Sequence, residues 1–417
     1  MDLYISNSYN DTGIEPDLTS NIIYDSPDIW IRNNDDNGTV PQNGEYHPTN
    51  PNYVYVKVRN RGVITSTAND SLELYWAKAG TALEWDDYWD GTYKIGNLPM
   101  GGKIRKQAIP ILQPEEETIV KFEWNVPRPV DYQHIDWEFW HFCLLARIVS
   151  NDDPMSVIEI NDLNQNVKNN NNLAWKNLAI FDMEPNKPKG ASIYAINPRN
   201  VAKAYRFRFF TETLIFEEAE IRATSETLIF EERATLSPTI YNAWVSGGRL
   251  GTGISDTEED NVILINTSDA TIENVILDPL EMGTINLKFN FLTEEYTSTP
   301  NYKYYLEQRD MIDNKLLGGE AYLINTPGRD LFYADAGGNK EANNNEAILL
   351  SATDIGEDAV YNWYDSDGNK VHQGKDYTIT VNDDREYKLE ITAAADGYRD
   401  YDNVTVSLKP NAINNHY

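Results

Sequence analysis

The sequence predicts an all-β protein of tandem β-sandwich domains, and three observations predict it. Asn52–Gly62 alternates with period two, Val54, Val56 and Val58 falling on one side and Tyr53, Tyr55, Lys57 and Arg59 on the other. A strand with one buried face has that pattern. Short runs of the same kind recur along the chain. Strand-favouring aromatics are plentiful, with 26 Tyr and 10 Trp among 417 residues, a length that accommodates two to four domains.

Residues 1–183 read as a first large sandwich. Leu3-Tyr4-Ile5 opens it, and Ser26–Arg32 gives a second strand after a Pro-marked turn. Asn33–Gly38 is a polar loop whose oxygens suit calcium, but its spacing matches no EF-hand, so an Asx-rich turn is expected. Asn60-Arg61-Gly62 ends the Asn52 strand, with Gly62 expected to supply a positive φ. Leu72–Ala77 and Thr118–Trp124 alternate again, and His141–Ile148 reads as a central apolar strand holding Cys143, the one cysteine, as an inert buried thiol. Leu173–Ile180 is expected to close the domain.

Trp85, Tyr88 and Trp89 lie within one predicted loop beside Asp86, Asp87 and Asp90. Such a cluster suits a glycan, because rings stack on sugar faces while carboxylates accept from hydroxyls. The alternative has Trp85 and Trp89 capping the open end of the core, the commoner fate of large aromatics.

Glu184–Gly190 has the composition of a linker, and a second β-sandwich is expected over 184–335. Within it Glu212–Glu218 recurs as Glu226–Glu232, read as a local duplication giving adjacent strands with surface glutamates. Gly247–Gly253 lacks the Lys-Ser/Thr of a phosphate loop and reads as a flexible inter-strand loop. Val262–Ile265, Thr284–Phe291 and Tyr302–Leu306 continue the strand series. A third, small domain is expected over 336–410, where five strand patterns within Ala347–Leu408 have the spacing of an immunoglobulin-like sandwich. There Asp365–Asn369 has carboxylates for calcium but is also a standard hairpin turn. Residues 411–417 form a tail.

A formal charge of −31 repels phosphate backbones and anionic headgroups, which disfavours nucleic acid and membrane surfaces as partners. No run of 18 apolar residues is present, so no spanning helix is expected. Met1–Tyr4 has no signal-peptide pattern, so either the protein is intracellular or Met1 is not the biological start. No nucleophile, metal or cofactor motif assembles in the sequence. His134 and His141 lack a metal-ligand spacing and read as structural, with His47, His372 and His416 scattered elsewhere. No catalytic residue, no cofactor-binding residue and no metal ligand is assigned, and no cofactor is expected beyond a structural calcium.

Tyr361–Asp365 with Gly368, Gly374–Tyr377, Tyr387–Glu390 and Asp396–Tyr401 together resemble the PKD-like, immunoglobulin-like module that precedes the sorting domain in Bacteroidetes cargo of the type IX secretion system. Ser26–Asn33, Asn52–Val56 with Arg59–Gly62, and Cys143–Ile148 resemble a CARDB-like sandwich of such proteins. The resemblance implies export to the cell surface or medium through the type IX machinery, with other surface proteins or glycans as partners and no catalysis by these domains. The family's signal peptide and sorting domain are not seen in the sequence; cleavage on export would explain both. Asp70-Ser71-Leu72 resembles the phylum's O-glycosylation motif, marking Ser71. The leading expectation is therefore a secreted, non-catalytic protein acting in surface interaction or as a structural component. The alternatives are an accessory region of a larger secreted hydrolase or peptidase, or a carbohydrate-binding module using Trp85, Tyr88 and Trp89.

Overall fold

The computed structural model describes residues 1–409 apart from 10, 19, 134–139, 184–187, 212–229, 292–300, 326–333, 357, 367 and 395–398. The described residues are dominated by strands arranged as three successive sandwiches.

Asn52–Asn60 sits at the middle of the first sheet. Glu117–Trp124 pairs along one edge, and Leu3–Tyr4 and Ile29–Arg32 share the other, all antiparallel. The facing sheet runs Leu173–Lys176, Phe142–Val149, Ser71–Lys78, Gly101–Ala108. Val54, Val56 and Val58 are buried against Leu72, Leu74 and Phe122, as their alternation requires. The opposite face is less open than expected. Tyr55 is only 3% exposed, because Trp30 stacks on it at 5.5 Å.

The strand's exit also differs from expectation. Gly62 does not take a positive φ; it is needed because a Cβ there would stand 2.6 Å from the amide nitrogen of Asp2. The bend is held by Asn60, whose Oδ1 accepts from the Asp2 and Gly62 amides while its Nδ2 donates to the Ile64 and Leu112 carbonyls.

The run Leu173–Ile180 is not one closing strand. It breaks at Asn177, with Leu173–Lys176 completing the first sandwich and Leu178–Asp182 running parallel to Leu316–Asn325 in the second. The second sandwich sets the order Leu178–Asp182, Leu316–Asn325, Asn301–Asp310, Lys203–Thr211, Asp269–Leu277, Leu250–Thr252 against Lys189–Ile196, Met282–Phe291, Phe230–Leu236, Val262–Ile265, Ile254–Asp256. Its mouth is plugged by a helix that strand periodicity did not reveal, Pro238–Ser246, which buries Ile240, Ala243 and Trp244. Ser237 caps it and Pro238 begins it, a standard helix start. Gly247–Gly253 is accordingly no free loop: it ends this helix, contributes Leu250–Thr252 to one sheet and turns at Gly253 into the other.

The duplicated glutamate motif lies mostly outside the described residues. Of its second copy, Glu232 is 1% exposed, so it is a core residue and not a surface one. In the third sandwich the five expected strands are present, joined by Lys340–Ala342 and Lys370–Gln373. Its core centres on Trp363, Leu389, Ile391, Val404 and Val406. Gly368 at φ 79° and the Asn369 amide bonded to Asp365 make Asp365–Asn369 the hairpin turn.

Candidate functional site: the joint between the first two sandwiches and its cleft

Between the first two sandwiches lies a third hydrophobic core, drawn from both. Trp89, Trp175, Cys143 and Leu145 of the first sandwich meet Ile196, Phe210, Tyr305 and Ala321 of the second. Close approach is permitted by glycine. At Gly318 a Cβ would lie 2.0 Å from the Thr81 carbonyl oxygen, and at Gly319 one would lie 2.6 Å from the Tyr24 ring.

Polar groups trapped at the joint find partners across it. Asn177, fully buried at the crossover, donates from Nδ2 to the Gly319 carbonyl and accepts on Oδ1 from the Cys143 thiol at 3.0 Å. Thr81 donates to Gln308, which in turn donates to the Ile196 carbonyl. Asp25 lies between the ammonium groups of Lys176 and Lys303, one from each sandwich. Burial alone would raise its carboxyl, but the two lysines hold it below the usual carboxylate range. His141, 3% exposed, places Nδ1 2.5 Å from a carboxylate oxygen of Glu320, which is fully buried.

Above this pair opens a cleft of about 870 Å³, within the ~300–1,000 Å³ range of ligand clefts. One wall is the Asn43–Tyr46 loop of the first sandwich; the other is formed by Ile180–Asp182, Pro188–Gly190, Asn286 and Lys288 of the second. The walls are fastened together because the Asn43 amide both donates to the Ile180 carbonyl and accepts from its N–H, at 2.7 and 2.8 Å. That side chain thereby completes the outer edge of the Leu178–Asp182 strand. Trp140 also lines the cleft. Its indole stacks on His141 at 5.5 Å and meets the edge of Phe181 at 6.1 Å, so the buried His141 and Glu320 pair lies directly beneath a cleft residue.

The residues singled out by sequence fall elsewhere. Trp89 is fully buried, edge-on to Trp175 at 6.3 Å, and Tyr88 is 7% exposed against Tyr93, so neither ring has a face for a sugar. Trp85 is half-buried, with Tyr75 at its edge and the Arg147 guanidinium over its ring. The three aromatics close the shared core between sandwiches. Ser71 is 7% exposed inside a strand and donates to the Val149 carbonyl, which leaves its hydroxyl unavailable for glycosylation of the folded chain. In Asn33–Gly38, Asp36 is held by Arg32 and Asp35 by Lys121. Among the described residues no group of three or more His, Cys, Asp or Glu is arranged to hold a metal. His47 caps a turn and His372 stacks on Tyr377, both far in role from His141; His134 and His416 lie outside the described residues.

No family model matches the chain, and no curated protein matches it. Among solved structures it is similar to fibronectin(III)-like modules of CbhA from Clostridium thermocellum, at 12% identity and a TM-score of 0.19 over 58% of this chain and 95% of that one. It is also similar to the full-length major pilin SpaD from Corynebacterium diphtheriae, at 11% identity and a TM-score of 0.20 over 88% of this chain and 94% of that one. Sidekick-1 immunoglobulin domains 1–4 give 10% identity and a TM-score of 0.16, over 92% and 75% of the two chains. No described helix is long and apolar enough to cross a membrane.

Proposed function

We propose that this chain is a non-catalytic protein of the cell surface or extracellular medium that works by recognising another surface component. The observation that carries the reading is the fastened joint. Two sandwiches share one core and present a cleft whose walls come from both, a rigid platform whose geometry is set before any partner arrives. The strongly acidic composition keeps such a surface solvated and disfavours polyanionic partners.

The finer reading is cargo of the type IX secretion system, supported by the resemblance of phrases such as Tyr361–Asp365 and Asn52–Val56. Mass-spectrometric mapping of both termini, on protein recovered separately from cells and medium of its native source, tests both levels. Recovery from the surface or medium is expected. Recovery only from cytosol would refute the reading, and a catalytic domain upstream in the native polypeptide would make these sandwiches an accessory region.

A further inference from the structure

We infer that the cleft between the first two sandwiches is a saccharide-binding site, with Trp140 and Tyr46 as its aromatic surfaces. The inference rests on the surface-recognition reading above and assigns that recognition a chemistry.

The lining is polar around three aromatic residues, Tyr46, Trp140 and the buried Phe181. Asn286, Lys288, Lys189, Asp182 and Glu45 supply amide, ammonium and carboxylate groups, while Trp140 and Tyr46 are the partly exposed aromatic side chains of the lining. A lipid or other apolar ligand would leave those charges desolvated without partners. A phosphate polyanion would meet the carboxylates of Glu45 and Asp182 within a chain of net charge −31. A saccharide suits both features. Its hydroxyls donate to carboxylates and accept from ammonium and amide N–H groups, and its C–H faces lie against aromatic rings.

The site is also preorganised. Trp140 is braced by His141 beneath it and Phe181 at its edge, so stacking on it costs little side-chain entropy. The amide of Asn286 is oriented by its Nδ2 donating to Ser192 Oγ at 3.0 Å. The Asn43 clasp on Ile180 keeps the two walls at a set separation. Tyr46, at 41% exposed, is the ring most open to solvent.

The test uses the full 417-residue chain and a panel of neutral cello-, xylo- and manno-oligosaccharides with acidic oligogalacturonides. Binding is read by glycan array and then by titration calorimetry on the best probe. Tyr46→Ala and Asn286→Ala are the main variants, since Tyr46 is exposed and neither residue belongs to the cores; Trp140→Ala is the third, and Lys370→Ala in the third sandwich is the control. The expected result is binding of at least one saccharide, weakened about tenfold or more by Tyr46→Ala with its thermal midpoint unchanged and by Asn286→Ala measured well below its own midpoint, and unaffected in the control. Absence of binding across the panel, or binding that Tyr46→Ala and Asn286→Ala leave intact, overturns the inference. The surface-recognition reading stands or falls separately, on where the native protein is recovered.

Discussion

His141 of the first sandwich and Glu320 of the second meet 2.5 Å apart inside the joint, both excluded from solvent. The two sandwiches thus share a buried polar contact, between the residue just before the Phe142–Val149 strand and one inside Leu316–Asn325. Replacing His141 with Ala removes the imidazole from this buried contact, and a loss of about 1–3 kcal/mol in unfolding free energy is expected from denaturant titration. His141→Ala combined with Glu320→Ala should recover part of it, the excess being the coupling between the two.

Asp25 makes the joint acid-sensitive. Its carboxyl is held below its ordinary value of 3.8 in the folded chain, so its contribution is fully present above that pH and is lost as pH falls toward the depressed value. Denaturant midpoints measured from pH 6 to pH 2 should fall more steeply for the natural chain than for Asp25→Asn. At pH 7 that variant should already be weaker, because the buried Lys176 ammonium loses the carboxylate beside it.

Glu232 works in the opposite direction. Burial pushes its carboxyl well above the ordinary 4.5, and the neighbouring Tyr304 hydroxyl only partly offsets this. Below the ordinary value the group is neutral in folded and unfolded chains alike. As pH rises past it, the unfolded chain ionises and the core does not, so stability falls by up to about 1.4 kcal/mol per pH unit until the folded group titrates. Glu232→Gln should therefore be more stable than the natural chain at pH 8 and nearly level with it at pH 4.5, as read from thermal midpoints at both.

Gly318 is where the sandwiches touch backbone to backbone. Adding one methyl there drives a Cβ to 2.0 Å from the Thr81 carbonyl oxygen at φ 158°. In scanning calorimetry the natural first and second sandwiches should unfold in one transition, since they share a core. Gly318→Ala should lower that transition or split it.

Cys143 is fully buried, and desolvation, with the Glu320 charge nearby, pushes its thiol well up from the usual range. A disulfide exchange reagent should leave it unmodified in native protein at pH 8 and label it one-to-one in denaturant. Rapid labelling of the native chain would contradict the packing around Asn177.

Strand content was legible wherever one face is buried and the other wet. The period-two runs at Asn52–Asn60, Thr118–Trp124 and Tyr377–Val381 are strands because alternation is a local property that a single segment displays. The helix Pro238–Ser246 was missed although its Ser-Pro start is a recognisable signal; nine residues in a strand-rich context offered little periodicity to weigh. The break at Asn177 had a faint mark, the Lys176-Asn177 pair inside an apolar run, but nothing local says that the two halves enter different sandwiches.

The candidate site was not legible at all. Trp85, Tyr88 and Trp89 drew attention because they cluster in sequence, and the structure buries Tyr88 and Trp89 outright. The cleft assembles Tyr46, Trp140, Asn286 and Lys288 from distant segments, none of which forms a motif.

The sequence by itself determined the all-β class, most of the strands and the inert buried cysteine, because alternation, composition and residue type act over a few neighbouring residues. Only the tertiary structure decided which glutamates are buried, which aromatics face solvent, and that two sandwiches share one core. Those outcomes depend on backbone approaches such as Gly318 to Thr81 and on pairings such as His141 with Glu320, where the partner lies far away in the chain and burial sets the energy of the contact.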